Sequence, residues 1–135
     1  MRLVLDSNLI FSAVLKPTST PGAVLGAWRA GHFEWIICKE QLHELGIALT
    51  RPYLTARIVQ GAKPVEELIT EMHGACNLKT LVTPLPPVCR DPRDDFLFAL
   101  FDRGHADLII SGDKDVLALK GRYPVLTPRE LIDRL

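Results

Sequence analysis

The chain has no apolar run near the roughly 18 residues that span a bilayer, and Arg2-Leu3-Val4-Leu5-Asp6 is too short and too soon charged for a signal peptide. A membrane-spanning helix is not expected, and a cytoplasmic protein is. Cysteine is scarce. Cys38, Cys76 and Cys89 are odd in number and lack C-x-x-C spacing, so neither a disulfide framework nor a zinc knuckle is expected. The four histidines, His32, His43, His73 and His105, show no H-x-x-x-H or H-E-x-x-H spacing, which disfavours a zinc enzyme. The phosphate-cradling G-x-x-x-x-G-K-[ST] and G-x-G-x-x-G loops are missing, and so is the G-x-S-x-G elbow of serine hydrolases. Net charge is absent too. Sixteen Lys and Arg balance sixteen Asp and Glu, so a polyanionic partner must meet a local basic patch rather than a global field.

What is present is an ordinary globular composition, 47% hydrophobic and 24% charged, which excludes disorder as the main state. At 135 residues the chain is long enough to bury a core of its own, and no repeat, linker or low-complexity segment divides it. One domain over residues 1–135 is the expectation.

Strand and helix patterns alternate along it. Leu3-Val4-Leu5 reads as a strand that stops at Asp6-Ser7-Asn8, followed by helical spacing of Leu9, Ile10, Ala13 and Val14. Thr20 as N-cap and Pro21 in the first helical position announce a second helix, which Gly31 closes. Phe33 to Cys38 is a second strand. Lys39 to about Arg51 is helical, with Leu42, Leu45 and Leu49 on one stripe. Tyr53 to Asn77 reads as a short helix and a longer one, Leu81-Val82 as a short strand, and Asp91-Pro92 as the start of a helix buried on most sides. Leu108-Ile109-Ile110 is a fully apolar strand, Val116 to Leu119 a short helix, and Pro124-Val125-Leu126 a last strand before the capping box Thr127-Pro128-Arg129-Glu130. Such alternation predicts an α/β fold with a mainly parallel sheet.

In a parallel sheet, ligands bind beyond the carboxyl ends of the strands. Asp6 and Asp113 both follow strand runs directly and so are placed to converge. Asp91, Asp94 and Asp95 open the buried helix, and Glu44 sits in the helix after the second strand. Several carboxylates in one pocket suit a hard divalent ion such as Mg²⁺ or Mn²⁺, which takes oxygen ligands and supports attack of water on a phosphodiester. Plainer roles stand beside this one. Asp91 before Pro92 is a natural N-cap, with Asp94 three residues on as its reciprocal acid, and Asp95 suits the positive end of a helix. Glu44 shares an arc with Glu40 and Arg51, as on a solvated salt-bridge face. Asp113 and Asp115 suit the cap of the next helix. Asp6 has no such role open to it and needs a partner, because a lone desolvated carboxylate is costly.

Leu5-Asp6-Ser7-Asn8, then Leu42-His43-Glu44-Leu45 running to Arg51-Pro52, then Cys89-Arg90-Asp91-Pro92-Arg93-Asp94-Asp95, then Ala106-Asp107-Leu108-Ile109-Ile110-Ser111-Gly112-Asp113-Lys114-Asp115 stand in an order that resembles the PIN-domain family. The likeness is strongest to its VapC-like toxins of toxin–antitoxin systems, and it extends to Leu126-Thr127-Pro128-Arg129-Glu130-Leu131. The resemblance implies a three-layer α/β/α sandwich with a mainly parallel central sheet, and a Mg²⁺- or Mn²⁺-dependent endoribonuclease. Its catalytic acids would be Asp6, Glu44, Asp94 or Asp95, and Asp113, with the aspartates as metal ligands. Gapless matching selects Asp94, whereas the capping argument frees Asp95. Asn8 and Ser111 match the polar residues that orient those acids. Phe101 departs from the family, which tends to have a small residue there. Arg90, Arg93, Lys114 and Lys39 lie beside the acidic segments and are the candidates for RNA phosphates. Family members pair as homodimers, and toxins of this kind are held inactive by a cognate antitoxin protein. The alternatives are a catalytically idle PIN-like scaffold that binds RNA or a protein partner, and a phosphatase or phospho-receiver. The last would prefer an acid at position 8, where this chain has Asn8.

Overall fold

A computed structural model describes residues 1–52, 56–58 and 63–135. The short helix expected after Tyr53 lies outside the described residues. Strand β1 (Arg2–Leu5) leads into α1 (Ser7–Leu15) and α2 (Thr20–Arg29); β2 (Glu34–Cys38) leads into α3 (Lys39–Leu49) and then α4 (Lys63–Ala75). Strand β3 (Asn77–Lys79) precedes a 3-10 turn (Pro92–Asp94) and α5 (Asp95–Arg103). Strand β4 (Leu108–Ile110), α6 (Lys114–Leu117), β5 (Val125–Leu126) and α7 (Pro128–Arg134) complete the order. Among the described residues no helix is long and apolar enough to cross a membrane.

The five strands form one parallel sheet in the order β3-β2-β1-β4-β5. Strands β1, β2, β4 and β5 are apolar on both faces because both are covered, as parallel sheets require. Leu3, Leu5, Trp35, Ile37, Leu108, Ile110 and Leu126 point to one side, into a core shared with α1, α2, α3, α4 and α7. The alternate residues Val4, Ile36, Cys38, Ile109 and Val125 point to the other, where Leu97, Phe98 and Leu100 of α5 and Val116 of α6 meet them. The result is a three-layer α/β/α sandwich. Its second layer tolerates Phe101, which is half-buried with its ring edge-on to Tyr123 at a centroid distance of 5.6 Å.

Glycine is required where α5 ends. A Cβ on Gly104 would stand 2.7 Å from Ile36 Cγ2 and 3.0 Å from Leu100 O, so the chain there passes too close to β2 for any side chain. Gly31 closes the turn after α2 for a different reason, its φ of 82°.

Several boundaries differ from those expected. Ser19, not Thr20, caps α2, because its Oγ reaches the Gly22 N–H at 3.2 Å. The third strand forms at Asn77–Lys79 instead of Leu81-Val82: its backbone pairs with β2, and Asn77 Nδ2 donates to Glu34 Oε1 at 2.9 Å. Val82 is left 80% exposed. An edge strand stitched by polar groups carries no apolar alternation to read. Helix α6 starts at Lys114, two residues before the apolar pattern begins, because its cap is Asp113.

Candidate active site

The strand order reverses around β1. Strands β2 and β3 lie on one side of it and β4 and β5 on the other, so the switch point falls between the carboxyl ends of β1 and β4. Leu5 pairs with Ile110, and the next residues on the two strands are Asp6 and Ser111. The ladder continues one step past the strands, with the Asp6 N–H donating to Ile110 O at 3.0 Å and the Ser111 N–H to Leu126 O at 3.0 Å. Backbone pairing thus fixes where both side chains start.

One hydroxyl joins the two acids. Ser111 Oγ, fully buried, donates to Asp6 Oδ2 at 2.6 Å and accepts the Asp113 N–H at 3.0 Å. Asp6 Oδ1 accepts the backbone N–H of Asn8 at 3.3 Å, so Asp6 also caps α1, a role not anticipated for it. Asp113 Oδ1 in turn accepts the Asp115 N–H at 2.8 Å. Asn8 therefore orients Asp6 through its backbone, and Ser111 through its side chain.

Asp6, Ser7, Asn8, Glu44, Asp91, Arg93, Asp94, Phe96 and Asp113 line one cleft of about 440 Å³. Its five acidic residues come from four parts of the fold: the end of β1 (Asp6), α3 (Glu44), the 3-10 turn with its cap (Asp94 and Asp91) and the end of β4 (Asp113). Glu44 is exposed at its rim. Asp94 and Asp95 part company here. The Asp95 carboxylate turns away into the loop before it, its Oδ1 accepting the N–H groups of Val88 at 3.0 Å and Cys89 at 2.7 Å. Asp94 makes no side-chain cap bond and faces the cleft. The reciprocal cap read for Asp91 and Asp94 does not form, since Asp91 caps the turn alone through the Arg93 N–H at 3.0 Å.

The cleft resists its own charge. Burial, then the carboxylates of Asp6, Asp113 and Asp91, push the Asp94 carboxyl up to about 6 from an ordinary 3.8. Burial likewise raises Asp6, against the lowering effect of its bonds to Ser111 and Asn8, and Asp113 adds to the rise. A carboxyl raised in the folded state binds its proton more tightly there than in the unfolded chain. Its contribution to stability is present below about pH 4 and lost as pH rises to about 6. Thermal melts of the metal-free protein should therefore show Asp94→Asn gaining on the wild type across that interval; a constant difference would remove Asp94 from the acid cluster.

The basic residues are less concentrated than the acids. Arg93 lines the cleft but grips Asp91 through Nε and Nη2 at 3.2 and 2.8 Å, and its side chain is 89% exposed. Arg90 stands 4.0 Å from Asp115. Lys114 and Lys39 are exposed and lie outside the cleft lining. No cysteine is poised as a nucleophile: burial pushes Cys38 up to about 11 and Cys76 up to about 12, and Cys89 is also raised.

Among the described residues no three His, Cys, Asp or Glu side chains stand close enough to ligate one ion as they are placed. The donor set nonetheless suits a hard dication. Every acidic donor is a carboxylate oxygen, Mg²⁺ keeps several waters and takes only one or two carboxylates directly, and the mutual repulsion felt at Asp94 is what a positive ion relieves.

Phe96 and Ser7 were not singled out from the sequence as lining residues. Phe96 reads there as part of an apolar helix, and only its place in the first turn of α5, beside Asp94, marks it as a rim residue. Fold and cleft together define a parallel α/β protein with an acidic cleft at the switch point of its sheet. A family model described as PIN domain matches residues 2–115, and the chain belongs to the PIN-domain family. PIN domains are in general nucleases and generally use divalent metals. No curated protein matches the chain.

Proposed function

We propose that this protein is a Mg²⁺- or Mn²⁺-dependent endoribonuclease, a single unit over residues 1–135 and the toxin component of a toxin–antitoxin system. The observation that carries the reading is the gathering of Asp6, Glu44, Asp94 and Asp113 around one cleft at the switch point of the sheet. Asp6, Asp94 and Asp113 would hold the ion, with Glu44 completing the acidic rim. Such an ion supplies stabilisation of the charge that develops on the phosphate and lowers the pKa of the attacking water. The chain's own part is to hold its carboxylates still. The Ser111 hydroxyl fixes Asp6 Oδ2, and the Asn8 and Asp115 N–H groups fix one oxygen of Asp6 and of Asp113.

Arg90, Arg93 and Lys114 would meet RNA phosphates at the cleft mouth. With no net positive charge behind them, binding should be modest and weaken with salt. Arg93 must leave Asp91 to take part, and an exposed ion pair is weak enough to be exchanged. The same cleft is the natural place for a cognate antitoxin to block, and the protein would act as a homodimer in the cytoplasm.

A catalytically idle scaffold is the competing reading, since among the described residues no three acidic side chains are grouped closely enough to ligate one ion. Incubating the purified, partner-free protein with a mixed RNA pool separates the two. Cleavage should appear with Mg²⁺ or Mn²⁺ and stop with EDTA; no cleavage at all would leave the scaffold standing, and cleavage indifferent to EDTA would overturn the metal-dependent reaction.

A further inference from the structure

Strands β1 and β2 separate just before the cleft. Their pairing runs Arg2↔Glu34, Leu3↔Trp35 and Val4↔Ile36, while Leu5 continues with Ile110 on the β4 side. The Leu5 carbonyl is met instead by a side chain. Gln41 of α3 donates from Nε2 to Leu5 O at 2.7 Å and reaches Ser7 Oγ at 3.4 Å. On the opposite side, the Asp6 N–H donates to Ile110 O at 3.0 Å. The peptide unit between Leu5 and Asp6 is thus gripped at its oxygen by α3 and at its nitrogen by β4. A planar unit held at both poles cannot rotate, and its rotation would swing the Asp6 side chain.

Gln41 is an odd choice for packing. It is 1% exposed, on the same helical arc as the fully buried Leu45 and Leu49, and its Oε1 has no hydrogen-bond partner among the described residues. A buried carbonyl without a partner is unfavourable; an apolar side chain of similar size would remove that cost but leave Leu5 O without its donor, so the two changes in stability roughly offset. Only the amide brings a donor to Leu5 O.

We propose that Gln41 is a positioning residue for Asp6: by bonding to the residue on each side of it, Gln41 fixes the backbone from which the Asp6 carboxylate enters the cleft. The kinetic consequence rests on the nuclease reading, whereas the backbone consequence does not. Gln41→Met and Gln41→Leu remove the donor and keep the bulk. Native-state hydrogen exchange should show the Asp6 amide exchanging about tenfold faster or more, with the Val4 and Ile109 amides unchanged and the melting temperature within a few degrees of wild type. In the cleavage assay kcat should fall by about tenfold or more at constant KM, as for loss of a group that orients a catalytic ligand. An Asp6 amide as protected as in wild type overturns the proposal. So does a general rise in exchange across the sheet, or failure of both variants to fold, since either makes Gln41 a packing residue. If the wild type cleaves no RNA, the nuclease reading falls by itself and the exchange pattern still decides the role of Gln41.

Discussion

Asp6→Asn is expected to lower RNA cleavage by about a thousandfold, the scale on which removing one element of a preorganised electrostatic site acts, while leaving the chain folded. The two effects have one origin. As a carboxylate, Asp6 is 4% exposed, raised by burial and repelled by Asp113, so the metal-free protein holds a charge it would be more stable without. Asparagine keeps an oxygen for the Asn8 N–H and turns a donor toward Ser111, whose hydroxyl can rotate to accept it. Melting without divalent ion at neutral pH should therefore be no lower for the variant than for wild type, as expected where activity depends on a destabilised site. Expression of the wild-type chain alone should arrest growth and Asp6→Asn should relieve the arrest. A harmless wild type would remove the toxin role, and a variant that still cleaves in an ion-dependent way would remove Asp6 from the reaction.

Ser111→Ala should damage both properties together. Its hydroxyl is fully buried, and truncation leaves Asp6 Oδ2 without its donor and the Asp113 N–H without its acceptor. Each unsatisfied group typically costs about 1–3 kcal/mol, so a clear fall in melting temperature is expected. Cleavage should drop about 10- to 100-fold, the range for losing a group that orients a metal ligand. Ser111→Thr keeps the hydroxyl and should retain more activity than Ala if the extra methyl is accommodated. Equal activity of Ser111→Ala and wild type would show that the bridge between the two acids is dispensable.

Much of this was legible in the residues. A three-residue apolar run ending in Asp6 and another ending in Ser111-Gly112-Asp113 are strand ends by composition, and topology brings strand ends to one edge. That is why Asp6 and Asp113 were identifiable as neighbours despite their separation in the chain. The third acid was not decidable, since Asp94 and Asp95 are adjacent and both suit a helix start. What parts them is a loop 6 and 7 residues upstream that claims the Asp95 carboxylate through the Cys89 and Val88 N–H groups. Gln41 was hidden for a related reason. On the helix stripe it looks like a polar interruption, and its meaning depends on β2 having left β1 one residue early. Likewise β3 is held by backbone pairing, with Asn77 and Lys79 on either side of an exposed Leu78, and hydrophobic periodicity does not register it.

The hydrogen bond between Ser111 and Asp6 closes a span of 105 residues. A ribosome making this chain therefore releases Asp6 105 residues before the serine that restrains it. Until then Asp6 has neither Ser111 nor the β4 backbone beside it. The acidic cleft thus stays unassembled on the nascent chain until β4 has emerged, its timing set by strand order alone.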